Sequence, residues 1–194
     1  MVYASESDHP RKYVLRPILE ALVRIAWGIT GAGHFLRECI DLITELKDLD
    51  LFLSKAGEEV LGMYQLRDIT TKVKGSVIWD NAASAPTIGG FANSRYGVLI
   101  VAPATSNSVA KFTRGISDSL ITNLFAQAGK NRIPIAVLPT DMAPEINSST
   151  QRGRPIKVYP RPIDLENTAN LREFPGVKVV KSVEEIREWL TAFS

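Results

Sequence analysis

From residue 24 onward, short apolar runs alternate with stretches in which apolar positions recur every three or four residues. Arg24-Ile25-Ala26-Trp27-Gly28-Ile29-Thr30 is a brief apolar run ending among glycines, the pattern of a strand covered on both faces. Phe35, Leu36, Cys39, Ile40, Leu42, Ile43 and Leu46 then follow at helical spacing to about residue 47. The alternation continues with a strand at 49–53, a helix at 57–66, a third strand at 76–79 and a clear strand at 97–103. Helices are predicted near 106–113 and 118–130, and another buried strand at 133–138. Residues 152–162 carry three prolines and read as irregular, and 177–180 as a last short strand. Ser182 opens a terminal helix, with Glu185 completing a capping box and Val183, Ile186 and Leu190 on one face. Strands alternating with helices predict right-handed βαβ units. The fold class is therefore α/β, three-layer and doubly wound, with a mostly parallel Rossmann-like sheet.

The first 23 residues break this pattern, mixing charges and prolines before an apolar patch at 18–23. They read as an N-terminal extension, 1–23, ahead of one domain spanning 24–194. Packing on the surface, packing on a neighbouring subunit and a misassigned start all give this signature. A chain of 194 residues, 45% hydrophobic and 23% charged, suits one globular domain. The net charge of +2 supplies no basic excess to drive nucleic-acid binding. Cys39 is the one cysteine, which excludes an internal disulfide, a four-cysteine zinc site and a cysteine-held iron–sulfur cluster. No metal site is expected. The apolar stretch at 19–29 is interrupted by Glu20 and Arg24, too short for a membrane span and without a cleavage pattern. A cytoplasmic location without membrane contact is the expectation.

Candidate chemistry gathers in two loops. Gly28-Ile29-Thr30-Gly31-Ala32-Gly33-His34 lies where the first strand turns into the first helix, where glycines and free amides suit a phosphate. The spacing is not G-x-G-x-x-G, and Ser54 stands at the end of the second strand where a dinucleotide site needs an acid. A dinucleotide reading is disfavoured, and a tight turn alone explains the glycines equally well. The second loop, Pro103-Ala104-Thr105-Ser106-Asn107-Ser108, crowds hydroxyls and an amide at the carboxyl end of the clearest strand. Open α/β sheets bind ligands at that edge. Capping of the next helix accounts for one such residue rather than four.

These two loops resemble a known family, the flavoprotein superfamily of homo-oligomeric flavin-containing cysteine decarboxylases, which also holds flavin prenyltransferases and archaeal FMN electron carriers. The resemblance runs from about Arg24 to Pro144. Its strongest parts are Gly28-Ile29-Thr30-Gly31-Ala32 and the block from Pro103 through Asn107, Lys111, Gly115 and Asp118 to Leu120. It implies a flavoprotein fold that binds FMN. Gly31, Ala32 and Gly33 would line the phosphate pocket, Ser54 would contact FMN, and Thr105, Ser106, Asn107 and Ser108 would hold the ribityl chain, phosphate and flavin edge. Asp118 would be a structural or interface residue. The usual G-A-S-G departs here: Gly33 replaces the serine and His34 the last glycine. His34 then faces either the phosphate or solvent.

The decarboxylating members share a histidine after the second or third strand and a P-x-M-N block after the fifth. This chain has only His9 and His34, and carries Pro139-Thr140-Asp141-Met142 at the second position. A proton-handling group for decarboxylation is missing. Lys111 and Arg114 do not complete a prenyl-phosphate set. The nearest resemblance is to archaeoflavoproteins and the related dihydromethanopterin reductases, which the tail motifs around Gly153-Arg154-Pro155 and Ile163-Asp164-Leu165 also suggest. The expected function is FMN-based electron transfer from a ferredoxin-like donor to an acceptor such as a pterin. A flavin-dependent lyase or a prenyltransferase is the alternative. Catalytic residues stay unassigned. Arg152, Arg154, Lys157 and Arg161 are candidates to meet an acidic donor, or form an ordinary solvated loop. The small-residue stretch 81–90 would close over the ligand, and Trp79 would flank the flavin ring or sit in the core. A homo-oligomer is implied.

Overall fold

The computed structural model describes residues 24–81, 89–91 and 94–193. The N-terminal extension 1–23 and most of the proposed closing stretch, 82–88, lie outside these residues.

The strands are β1 (Ile25–Ile29), β2 (Leu49–Leu53), β3 (Val77–Trp79), β4 (Val98–Ala104), β5 (Ile135–Pro139), β6 (Ile146–Ser149), β7 (Pro155–Val158) and β8 (Val177–Val179). The helices are α1 (Leu36–Glu45), α2 (Lys55–Met63), α3 (Ile69–Lys72), α4 (Ser106–Arg114), α5 (Leu120–Lys130), α6 (Pro162–Arg172) and α7 (Val183–Thr191). Six strands form one sheet in the order β3-β2-β1-β4-β5-β8, and every pairing is parallel.

Side-chain alternation along each strand divides the core in two. Ile25, Trp27 and Ile29 of β1, with Val98, Ile100 and Ala102 of β4, face a cluster completed by α1, α2, α3 and α7. Ala26, Leu99, Val101 and Ala104 face the opposite cluster, built on Val109 and Phe112 of α4, Ile121, Leu124 and Phe125 of α5 and Leu171 of α6. Helices cover both faces, so the continuous apolar strands are those of a doubly wound parallel sheet. The Trp27 indole is buried and still satisfied, donating to the Ala102 carbonyl at 2.7 Å. Trp79 packs against the α1 side of this core.

Three local expectations change. Helix α2 starts at Lys55, two residues before Gly57, because Ser54 caps it by accepting from the Gly57 amide at 2.9 Å. Residues 146–158 form an antiparallel hairpin, β6–β7, pairing Ile146 with Val158 and Ser149 with Pro155, and α6 follows from Pro162. Proline stands at the strand edge and at the first turn of the helix, where its missing N–H costs nothing. At α7, Ser182 accepts from the Glu185 amide at 3.2 Å, but the Glu185 carboxylate accepts from Lys181 at 2.9 Å rather than from Ser182. The capping box is therefore half formed.

A charged cluster closes the amino edge of the sheet. Asp50 is fully buried in β2 and accepts from Arg24 (2.6 and 2.9 Å), Arg95 (2.7 Å), the Tyr96 hydroxyl (2.8 Å) and the Ser76 amide (2.7 Å). Burial pushes its pKa up, but the hydrogen bonds from Arg24, Ser76 and Tyr96 prevail and hold it at about 2. Burial and the Asp50 carboxylate push the Tyr96 phenol up. The position of a lone acid in the run Leu49-Asp50-Leu51-Phe52-Leu53 was the available signal for this cluster.

Candidate functional site

The strand order reverses at β1, whose neighbours are β2 on one side and β4 on the other. Connections leaving β1 and β4 diverge there and open a crevice at the carboxyl ends of the strands. The candidate loops both fall at this edge.

Thr30 joins them. Its side chain is buried; Oγ1 donates to the Pro103 carbonyl at 2.8 Å and accepts from the Thr105 amide at 2.9 Å. The Thr30 amide adds a bond to the same Pro103 carbonyl at 3.3 Å. At this point the Ala102–Pro103 peptide is cis and the β4–β5 register shifts between Val101 and Ala104. The third edge, β2, is drawn in by the Ser54 amide, which donates to the Ile29 carbonyl at 3.2 Å. Sequence reasoning gave Thr30 no role, although a lone hydroxyl at the end of an apolar strand is a readable sign.

The first loop contributes backbone. Among the described residues, the amides of Gly33, His34 and Phe35 find no acceptor, so three donors lie together just ahead of α1. Such unpaired amides suit an anion. The glycines also have a packing reason. A Cβ on Gly31 would lie 2.6 Å from the Ala56 Cβ, which lets the loop press onto the start of α2. Phe35 takes a left-handed backbone, φ 64°, which strains a bulky residue. Burial holds the His34 imidazole below its ordinary value, against the opposing pull of the Glu38 and Asp141 carboxylates. It stacks obliquely on Phe35 with ring centroids 3.9 Å apart.

The second loop contributes side chains. Thr105 is the N-cap of α4, accepting from the Ser108 amide at 3.3 Å with the two hydroxyls 3.1 Å apart. Two of the predicted contact residues, Ser54 and Thr105, thus hold a helix start in place as well as lining the edge. Ser106 and Asn107 differ: their side chains make no hydrogen bond among the described residues, and Asn107 is exposed. The Thr140 amide donates to the Ala104 carbonyl at 3.0 Å and brings the end of β5 alongside. The geometry gathers Gly31, Ala32, Gly33, Ser54, Thr105, Ser106, Asn107 and Ser108 onto one edge.

Other candidates lie apart from it or act structurally. Asp118 grips Lys111 at 2.8 and 2.9 Å and fixes the turn between α4 and α5. Lys157 pairs with Glu145 at 2.6 Å and Arg161 with Asp164 at 2.8 Å, which leaves Arg152 and Arg154 at the hairpin tip without an ion pair among the described residues. No group of three or more histidine, cysteine, aspartate or glutamate side chains among the described residues could hold a metal. No described helix is long and apolar enough to cross a membrane.

Among the described residues, amides without an acceptor on one loop and polar side chains without a partner on the other are tied across a switch point, the kind of edge at which α/β proteins hold a cofactor or nucleotide. The family model described as Flavoprotein matches residues 19–190, and the chain belongs to that family. A dihydromethanopterin reductase (acceptor) of Methanosarcina mazei is 44% identical over 138 residues, covering 64% of this chain and 58% of that relative. The chain therefore spans little more than half the length of that curated relative. Burkholderia xenovorans DmrB, solved in complex with FMN and described as a cubic protein cage for redox transfer, matches with TM-score 0.78 and 39% identity. That match covers 88% of this chain and 97% of DmrB. A dodecameric FMN-dependent UbiX-like decarboxylase from Escherichia coli shares the fold, with TM-score 0.62 at 20% identity over 82% of this chain.

Proposed function

We propose that this chain is an FMN-dependent redox protein that takes electrons from a ferredoxin-like donor and passes them to an acceptor of the pterin class. The observation that carries the reading is the pair of loops tied through Thr30, with unpaired amides at Gly33, His34 and Phe35 facing the need of an anionic group. Gly31, Ala32 and Gly33 would hold the phosphate, and the missing Cβ at position 31 lets that loop press onto the start of α2. Ser106 and Asn107, with Ser54, Thr105 and Ser108 beside them, would hold the ribityl chain and the flavin edge.

FMN supplies the electron-transfer chemistry, and the protein supplies position and electrostatics. Ser54 keeps its hydroxyl proton to donate while its oxygen caps α2, and the Thr105–Ser108 hydroxyl pair keeps one proton for a ligand while Thr105 caps α4. Burial holds the His34 imidazole below its ordinary value, which favours its neutral, hydrogen-bonding form. Arg152 and Arg154, without an ion pair among the described residues, present charge that would steer an acidic donor. The similarity to DmrB and to the Methanosarcina mazei reductase supports redox use over decarboxylation. Lys111 is engaged by Asp118, which weakens the case for a prenyl-phosphate anchor there.

A homo-oligomer fits the same reading. Ile156, Val158, Tyr159 and Ile163 are exposed along the hairpin and the start of α6, apolar surface that a second copy of the chain would cover.

The test is the visible spectrum of purified, desalted protein, followed by anaerobic titration with reduced ferredoxin. A bound flavin near one per chain that bleaches supports the proposal. A flavin that resists the donor keeps the cofactor and removes the donor. Protein that stays colourless after incubation with FMN removes the whole reading.

A further inference from the structure

Tyr64 ends α2 and is half-buried. A Cβ built on Gly33 would lie 2.1 Å from the Tyr64 hydroxyl oxygen and 2.5 Å from Cζ. The tip of the phenol occupies the space that any side chain at position 33 requires. Neighbours on other elements keep the ring there. The Arg37 guanidinium of α1 sits 5.9 Å from the ring centroid and donates to the Tyr64 carbonyl at 3.4 Å. The Tyr64 hydroxyl donates to the Ser149 carbonyl of β6, also at 3.4 Å. One side chain thus touches the loop after β1, the first turn of α1 and the hairpin.

What it touches in that loop is the part that matters. Gly33 heads the run of amides, 33 to 35, that find no acceptor among the described residues, and the run ends at the strained Phe35, φ 64°. Strain of this kind persists only where the surroundings hold it. Tyr64 presses on one side of the run and leaves its donors free. Each hydrogen bond from such an amide to a phosphate depends on the loop keeping its shape.

We propose that Tyr64 is a positioning residue for the phosphate end of the flavin site, its ring bracing the loop at Gly33 so that the amides of residues 33–35 converge on an anion. This rests on the FMN reading above. The role belongs to the phosphate, and riboflavin, which lacks it, is the internal control.

The experiment measures the affinity of apoprotein for FMN and for riboflavin by quenching of flavin fluorescence, with Tm recorded for each protein. The variants are Tyr64→Phe, Tyr64→Ala, Gly33→Ala and the double Gly33→Ala/Tyr64→Ala. Tyr64→Phe keeps the ring and holds FMN affinity within about twofold, while Tyr64→Ala loses about tenfold for FMN and less than about twofold for riboflavin. Gly33→Ala drives a methyl into the phenol and weakens FMN, and removing the ring in the double variant recovers part of that loss. Equal losses for the two flavins, or strictly additive losses, overturn the role given to Tyr64. Wild-type protein that binds neither flavin overturns the site reading instead, and the proposal falls with it.

Discussion

Thr30 Oγ1 accepts from the Thr105 amide at 2.9 Å while donating to the Pro103 carbonyl at 2.8 Å. These bonds make two loops, 75 residues apart in sequence, into one rigid edge. Thr30→Val keeps the shape and removes both bonds, leaving the Thr105 amide unpaired next to the core. The expected loss is about 1–3 kcal/mol of stability. Flavin affinity should fall with it, because among the described residues only the Thr30 amide bond to the Pro103 carbonyl then ties the two loops. Urea unfolding and a flavin titration of the same variant check the two effects together.

Asn107 separates binding from folding. It is exposed in the first turn of α4, where an acid is tolerated or mildly stabilising against the helix dipole. Asn107→Asp should therefore leave Tm unchanged or slightly raised and weaken FMN retention by charge repulsion. Unchanged flavin stoichiometry and affinity would remove Asn107 from the site.

Asp50 controls the acid limb of stability. Its folded pKa of about 2 lies below the value near 3.9 of an unfolded carboxyl. A depressed carboxylate stabilises the fold above the unfolded pKa, and that contribution is lost as pH falls through the folded one. About 2 kcal/mol should disappear between roughly pH 4 and pH 2. Asp50→Asn should cost about 3 kcal/mol at neutral pH, since Arg24 and Arg95 lose their shared partner, and flatten the profile in that window. Urea midpoints measured against pH for both proteins test this.

Arg152 and Arg154 stand at the hairpin tip beyond the Lys157–Glu145 and Arg161–Asp164 pairs. Reversing both to glutamate should slow reduction by ferredoxin and leave flavin content unchanged. The wild-type rate should fall as salt is raised, because charges more than about 10 Å apart are screened at 0.1 M. A rate indifferent to both changes would place the donor elsewhere.

Much of the candidate site was legible because its parts are local. Three glycines in seven residues after an apolar strand, and four polar residues after another, announce themselves without a structure. That Ser54 and Thr105 cap helices was legible in part, since capping is a local rule. Tyr64 was not. Nothing in Gly62-Met63-Tyr64-Gln65 indicates a ring resting on a glycine thirty-one positions earlier. The hairpin was hidden for a different reason. Its strands are four residues each, β6 alternates only between partly buried and exposed positions and β7 is exposed throughout, so no buried apolar run marks them.

Apolar periodicity determined the strands of the parallel sheet and most of the helices, because the central strands must hide both of their surfaces and write that need into every residue they carry. Tertiary structure alone decided which loops share an edge, that Thr30 ties them, that Tyr64 braces one of them, and that Asp50 gathers Arg24, Ser76, Arg95 and Tyr96 at the opposite end. Those contacts join groups far apart along the chain. Their strength depends on distance and burial, which exist only once the sheet has brought the segments together.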